Sequence, residues 1–242
     1  MNRETEGMVT EKNPEVIGGM FNRIARRYDL LNHLLSMGID KRWRRALVRE
    51  LVREKAGLVL DMATGTADLA LMAVRAGIDK VKGVDIADAM LDIGRNKIRK
   101  AGLDARISLQ NGRAEEIPFE DHTFDGAMVA FGVRNFEDLD KGLKEMHRVL
   151  KPGGSISVLE FSLPENRLIR ASYMAYFRHV LPTLGGWISG DKGAYSYLPA
   201  SVLTFPQGKD FLDRLERAGF QQVSCRRFTF GIASLYRGYR KD

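Results

Sequence analysis

The stretch Leu58-Val-Leu-Asp-Met-Ala-Thr-Gly-Thr-Ala-Asp-Leu-Ala70 is the most chemically informative in the chain. An apolar run ends on Asp61, a turn of small residues follows, and a helix start comes at Asp68. Small residues let a backbone approach a ligand closely. Twenty residues after Gly65, Asp85 closes a second apolar run, where an acid can accept both ribose hydroxyls of a nucleoside. The dinucleotide pattern G-x-G-x-x-G fits in neither register. Counted from Gly65, its second and third glycines are Ala67 and Ala70; counted from Ala63, the first glycine is lost and the third is Asp68. A methyl group where a pyrophosphate must approach, or an acid at the helix start, argues against NAD or FAD. S-adenosylmethionine carries adenosine without phosphate, and Asp61 suits its ammonium group. An ordinary βα turn with an acid at a strand end is the competing interpretation of these residues alone.

Regular elements must hold this turn. The periodicity predicts strands over 57–61, 81–85, 106–109, 124–130, 155–160, 220–228 and 233–240. Helices alternate with them over about 68–75, 87–100, 138–149 and 207–218, the last capped by Gly219. Such alternation implies βαβ units, a doubly wound, mostly parallel seven-stranded α/β sheet, and a ligand cleft at the carboxyl ends of its strands. Ile17, Met20, Phe21 and Ile24, then Leu30, Leu31, Leu34 and Leu35, then Trp43, Leu47 and Leu51 mark helices ahead of the first strand. Residues 163–197 break the alternation with tyrosines and glycines, and are expected to form a helical insertion covering the cleft. One domain is expected: a loose tail 1–13, cap helices 14–56, a cofactor-binding core 57–162, a cap insertion 163–205, and a terminal helix and strands 206–242.

Ala114-Glu115-Glu116-Ile117-Pro118-Phe119 follows the third strand, where an adenine edge would lie. Phe124-Asp125 opens the fourth strand and Lys151-Pro152-Gly153-Gly154 precedes the fifth. The series resembles a class I S-adenosylmethionine-dependent methyltransferase. Tyr28-Asp-Leu-Leu-Asn-His-Leu-Leu-Ser-Met-Gly-Ile-Asp-Lys-Arg-Trp43 and Phe131-Gly-Val-Arg-Asn135 narrow it. With Arg148-Val-Leu-Lys-Pro-Gly-Gly154, Leu159-Glu-Phe-Ser162, Tyr195-Ser-Tyr-Leu-Pro-Ala-Ser201 and Phe205-Pro206, they resemble the ubiquinone/menaquinone biosynthesis C-methyltransferases over residues 14–240. The Lys-Pro-Gly-Gly turn is shared by many methyltransferases; the segments at 28–43 and 131–135 are far more specific.

The resemblance implies S-adenosylmethionine as cofactor and methylation of a ring carbon of a reduced, lipid-tailed quinone precursor such as demethylmenaquinol. It implies cofactor contacts at Thr66, Asp85, Arg113 and Ala114, beside Asp61, Gly65 and Ala130. The family commonly has Asn at Arg113, often Ser at Ala130 and usually Gly at Ala67, so this chain departs at three positions. A hydroquinone ring carbon becomes nucleophilic when its phenol ionises, and a phenol resembling that of tyrosine has a pKa of about 10. Arg134 is a poor base because it stays protonated, so it is expected to stabilise the phenolate or order a water. Tyr28, Asp29, His33 and Tyr197 are candidate proton acceptors. The catalytic set read from the sequence is Arg134, Tyr28, Asn135 and Tyr197, with no metal.

Charge and composition bound the rest. With 242 residues, 44% hydrophobic and 29% charged, the chain has the make-up of a folded α/β protein. The single cysteine, Cys225, excludes an intrachain disulfide and a four-cysteine zinc site. The polar N-terminus resembles neither a signal nor a transit peptide, and no apolar run reaches the ~18 residues of a membrane span. A cytoplasmic protein is expected, with contact at a membrane surface and self-association left open. The net charge is +7, and residues 21–55 hold ten Lys/Arg against four Asp/Glu. That excess marks either a solvated helix face or a surface for an anionic partner. The apolar 30–35 and 173–187 stretches are a candidate route for a greasy tail. Rival readings are methylation of another small molecule, RNA methylation, a non-catalytic binding protein and a nicotinamide oxidoreductase. Against RNA stand the absence of an appended RNA-binding motif and of an Asn-Pro-Pro-aromatic motif, and the poor placement of Cys225 as a nucleophile.

Overall fold

Strands Leu58–Met62 (β1) and Phe124–Ala130 (β4) are buried along nearly their whole length rather than on alternate residues. Only helices packed on both sheet faces produce that pattern. The computed structural model describes residues 12–35, 38–176 and 192–241, with backbone alone at 28–35 and 192–196. In chain order it contains α1 (Pro14–Leu35), α2 (Asp40–Arg53), β1, α3 (Asp68–Arg75), β2 (Lys80–Asp85), α4 (Asp88–Lys100), β3 (Ile107–Asn111) and β4. It continues with α5 (Leu139–Val149), β5 (Leu150–Phe161), α6 (Arg167–Ala175), α7 (Lys192–Thr204), α8 (Lys209–Arg217), β6 (Phe220–Phe228) and β7 (Ala233–Arg240). Short 3₁₀ turns lie at Val133–Asn135 and Thr229–Gly231.

The seven strands form one sheet in the order β3-β2-β1-β4-β5-β7-β6. The first five are parallel, and β7 runs antiparallel between β5 and β6. This is the Rossmann-like class I methyltransferase fold, with helices ahead of the first strand. The winding direction reverses between β1 and β4, so the cleft opens at their carboxyl ends. One apolar cluster lies under α2 and α3, including Leu47, Leu51, Ala70 and Val74. A second lies under α5 and α8, including Leu143, Met146, Phe211 and Leu215. Ile17, Met20 and Ile24 of α1 form a third with Met90, Tyr173 and Tyr197, bringing α1 over the carboxyl ends of the strands.

Several boundaries differ from the sequence expectation for local reasons. The two apolar groups at 17–24 and 30–35 belong to one helix, which starts at Pro14 with Asn13 Oδ1 accepting from Glu15 N at 2.8 Å. The Lys151–Gly154 turn lies inside β5, whose register moves from Phe124 opposite Leu150 to Gly126 opposite Ser155. Asp125 fastens this irregularity by accepting from Gly57 N, Leu58 N and Lys151 Nζ at 3.0, 2.7 and 2.6 Å. Helix α8 begins two residues later than expected because Gly208 before it takes φ 58 and ψ −121. The expected insertion supplies α6, capped by Asn166, and α7; residues 177–191 lie outside the described residues. No described helix is long and apolar enough to cross a membrane.

Candidate active site

The turn after β1 is built from backbone that L-residues seldom adopt. Ala63, Gly65 and Ala67 have φ of 55, 56 and 64. Behind it, Asp61 is buried and accepts from Thr64 Oγ1 at 2.6 Å, and burial pushes its carboxyl up to about 7. Asp85 crosses from the end of β2, accepting from Gly65 N at 2.8 Å and Ala87 N at 2.9 Å. Burial raises its pKa, opposed by those amides. Each carboxylate oxygen can accept a second hydrogen bond, and Asp85 lines the central cavity.

Met62, Ala63, Gly65, Ile86, Met90, Ala114 and Ala130 share that wall, and Pro14, Ile17 and Phe21 of α1 cover it. Glu115 and Glu137 supply its acidic groups beside Asp85. Gly132 allows the β1 and β4 turns to touch, since a Cβ there would lie 2.5 Å from that of Ala63. The residues 116–119, expected near an adenine edge, instead line a separate surface groove with Lys82.

Phe131 enters the cavity wall with φ 62, stacked on Phe161 at 4.4 Å and tilted against Trp43 at 6.2 Å. The Arg44 guanidinium lies 5.2 Å from its ring centre. Arg134 turns inward instead. Its Nη1 donates to Glu160 Oε1 at 2.9 Å and to the Phe131 carbonyl, and its Nε donates to Ser201 Oγ at 3.2 Å. Glu160 is fully buried and also accepts from the amides of Arg134 and Phe161, at 3.3 and 2.9 Å. Asn135 lines the cavity and accepts from the Tyr197 hydroxyl at 3.0 Å. Burial pushes that phenol up to about 12.

The sequence-predicted residues therefore fall into three groups. Gly65, Asp85, Ala114, Ala130 and Asn135 stand together in the wall. Asp61, Thr66, Arg134 and Tyr197 are buried around it; the Thr66 hydroxyl accepts from Lys97 Nζ at 2.9 Å. Arg113 sits half-exposed at the rim, paired with Glu137 and 3.7 Å from Glu115. The side chains of residues 28–35, Tyr28, Asp29 and His33 among them, lie outside the described residues, as do residues 177–187 of the tail-route stretch 173–187, whose Tyr173 packs in the core with Ile17 and Met20.

Residues 8–240 match the ubiE/COQ5 methyltransferase family. The chain belongs to this family. It is an S-adenosylmethionine-dependent C-methyltransferase. This C-methyltransferase is 44% identical to the demethylmenaquinone methyltransferase of Bacteroides fragilis, over 93% of this chain and 92% of that protein. It is 49% identical to the ubiquinone/menaquinone biosynthesis C-methyltransferase of Syntrophotalea carbinolica, over 91% and 92%. Its fold is similar to that of the 4+2 cyclase SpnF, with a TM-score of 0.69 over 93% and 95% of the chains at 16% identity. It is also similar to that of a methyltransferase from Aquifex aeolicus, with a TM-score of 0.56 over 79% and 88% at 18% identity.

The methyltransferase's wall fits S-adenosylmethionine. Asp85 could offer carboxylate oxygens to ribose hydroxyls, Met62, Ile86 and Met90 could offer apolar surface to adenine, and Ala63, Gly65 and Gly132 would permit close backbone approach. The departure at Ala67 is absorbed elsewhere. Its methyl is fully buried toward α4, where a Cβ on Gly94 would lie 3.2 Å from it.

Sequence reasoning missed the partners of Arg134, which are Glu160 and Ser201. The Leu159-Glu-Phe-Ser162 motif was legible, but not that its carboxylate neutralises Arg134.

Proposed function

We propose that this enzyme methylates a ring carbon of a reduced polyprenyl quinone precursor, demethylmenaquinol to menaquinol, with the benzoquinol step of ubiquinone biosynthesis as a second ring. The observation that carries the reading is the cavity wall at Phe131–Asn135: an aromatic face beside one oriented amide. The names borne by relatives at 44–49% identity support it.

Bound S-adenosylmethionine supplies a strongly electrophilic methyl group, so the protein's task is alignment and activation of the nucleophile. Asn135 takes the hydrogen bond of a ring hydroxyl. Tyr197 holds it in place as a donor, because a phenol pushed up to about 12 keeps its proton at neutral pH. The Arg134 guanidinium is charge-balanced by Glu160 and donates to the Phe131 carbonyl, so it acts by fixing the Phe131–Asn135 backbone. Phe131, backed by the stacked ring of Phe161, presents the flat apolar surface a quinol ring needs. Tyr28 is the proposed proton relay. On this reading the enzyme works in the cytoplasm at the inner face of a membrane, where a polyprenyl-tailed substrate dissolves.

The test is methyl transfer from isotope-labelled S-adenosylmethionine to short-tailed demethylnaphthoquinol and benzoquinol, each offered reduced and oxidised. Carbon methylation of the reduced form alone is expected, with the product ring read by mass spectrometry. Bound cofactor with no product on either ring would overturn the substrate class.

A further inference from the structure

Phe230 stands at the tip of the β6–β7 turn, 78% exposed, with φ 58 and ψ 19. Thr229 before it and Gly231 after it also have positive φ, 46 and 93. A bulky aromatic in the left-handed region is a conformational outlier, and an exposed ring recovers little of that energy by packing. Strained exposed positions of this kind point to a partner.

The surroundings give the partner its chemistry. Leu168, in the first turn of α6, is 80% exposed. The turn and α6 are neighbours: a Cβ on Gly231 would lie 3.3 Å from Pro164 Cα, Ser162 Oγ donates to the Gly231 carbonyl at 2.7 Å, and Arg227 pairs with Glu165. The start of α2 joins them through Trp43 Nε1, which donates to Thr229 Oγ1 at 3.0 Å. Lys41, Arg42 and Arg45 are exposed there, as is Arg170 on α6, and none has a carboxylate partner among the described residues. The acids of α2 turn inward, Asp40 beside Arg44 and Glu50 against Arg237. Phe161 pairs with Ala233, so the turn lies beyond the end of β5 where the cleft opens.

We propose that this junction is a membrane-docking surface for an anionic bilayer. Phe230 and Leu168 enter the boundary between headgroups and acyl chains, and Lys41, Arg42, Arg45 and Arg170 meet the lipid headgroups. The proposal deepens, and rests on, the lipid-tailed substrate read above: docking face and cleft share one end of the sheet. A ring can enter the cavity from there while its tail stays in the bilayer.

The test uses the full chain in co-sedimentation with phosphatidylcholine vesicles, either pure or containing roughly a third phosphatidylglycerol. Phe230→Gly accepts the positive φ without strain, so folding is retained. Combined with Leu168→Ser, it should weaken binding to the anionic vesicles about tenfold. Lys41→Gln with Arg42→Gln and Arg45→Gln should weaken it comparably and flatten its salt dependence. Turnover of a short-tailed, water-soluble quinol should be unchanged in both variants, while KM for a long-tailed quinol in vesicles should rise. Unchanged vesicle binding in either variant would overturn the proposal. So would a dimer in light scattering that Phe230→Gly converts to monomer without affecting vesicles, since a second copy would then own the surface. Failure of the wild type to methylate the short-tailed quinol, with vesicle binding still sensitive to Phe230, would sink the substrate reading and leave the docking surface standing.

Discussion

Arg134 and Glu160, 26 residues apart, meet as a fully buried ion pair with Nη1 2.9 Å from Oε1. Glu160 also accepts from two backbone amides, and Arg134 reaches Ser201 of α7 and the Phe131 carbonyl. The pair thus joins the end of β5, the 3₁₀ turn after β4 and α7. Breaking such a pair from one side leaves a buried charge uncompensated, which costs about 3–5 kcal/mol. Glu160→Gln retains hydrogen bonding but not the charge, so a loss near 3 kcal/mol is expected in denaturant unfolding. Turnover should fall more than cofactor affinity does, because Asp85, the proposed ribose contact, is untouched; calorimetric binding of S-adenosylmethionine separates the two.

Tyr197→Phe removes the donor to Asn135 Oδ1. A stability loss of about 1–2 kcal/mol is expected for an unpaired buried acceptor. The kinetic signature should be a lower kcat for the quinol at unchanged cofactor affinity. Equal kcat in the variant would remove Tyr197 from the orienting role. The wild type should also lose stability as pH rises from about 10 toward about 12, because the folded phenol is raised and the unfolded one is not. The variant lacks that part of the decline.

Asp61 titrates in the opposite part of the scale. Burial raises its folded carboxyl to about 7, against an unfolded value of about 4. Its neutral form therefore favours the fold below about pH 4, and stability declines as pH climbs through about 7. Asp61→Asn abolishes that titration and can still accept from Thr64. Its stability relative to the parent should rise by a few kcal/mol between about pH 4 and 8. Urea unfolding at several pH values measures the difference; a pH-independent difference would contradict the buried, raised carboxyl.

Gly132 and Ala63 offer a double-mutant test of the contact between the two turns. A Cβ at Gly132 would lie 2.5 Å from the Ala63 methyl, whereas its next neighbour is Val129 at 3.4 Å. Gly132→Ala should destabilise by about 1–3 kcal/mol through overpacking and weaken cofactor binding. Ala63→Gly in the same chain should restore much of both, since it removes the clashing methyl from a left-handed position.

Ala67→Gly asks whether the departure from the family's usual glycine matters to the cofactor. The methyl points to α4 and not into the cavity. Relief of left-handed strain and loss of a buried methyl each amount to about 1 kcal/mol and oppose one another. Near-parental stability and cofactor affinity within about threefold are expected. A tenfold tighter complex would show that the methyl obstructs the site.

Much of this molecule follows from local pattern. Continuous apolar runs alternating with amphipathic segments specify the strands and helices of the sheet, and the spacing from Gly65 to Asp85 places an acid beside the turn it serves. These are short-range properties of backbone periodicity and turn chemistry. Side-chain direction is another matter. Arg42 and Arg44 both sit off the apolar stripe in sequence, yet Arg42 is exposed while Arg44 packs inward beside Asp40 and over Phe131. Thr66, adjacent to Gly65, faces Lys97 and not the cavity. Partners distant in the chain were equally hidden: Arg134 with Glu160, Asn135 with Tyr197, Trp43 with Thr229. Only packing decides which charges are desolvated and which long-range groups satisfy them, because burial sets the energy of leaving a polar group unpaired. The sequence by itself determined the sheet, the small-residue turn after β1 and the family; the tertiary structure decided which of the marked residues face the cavity and which hold its walls in place.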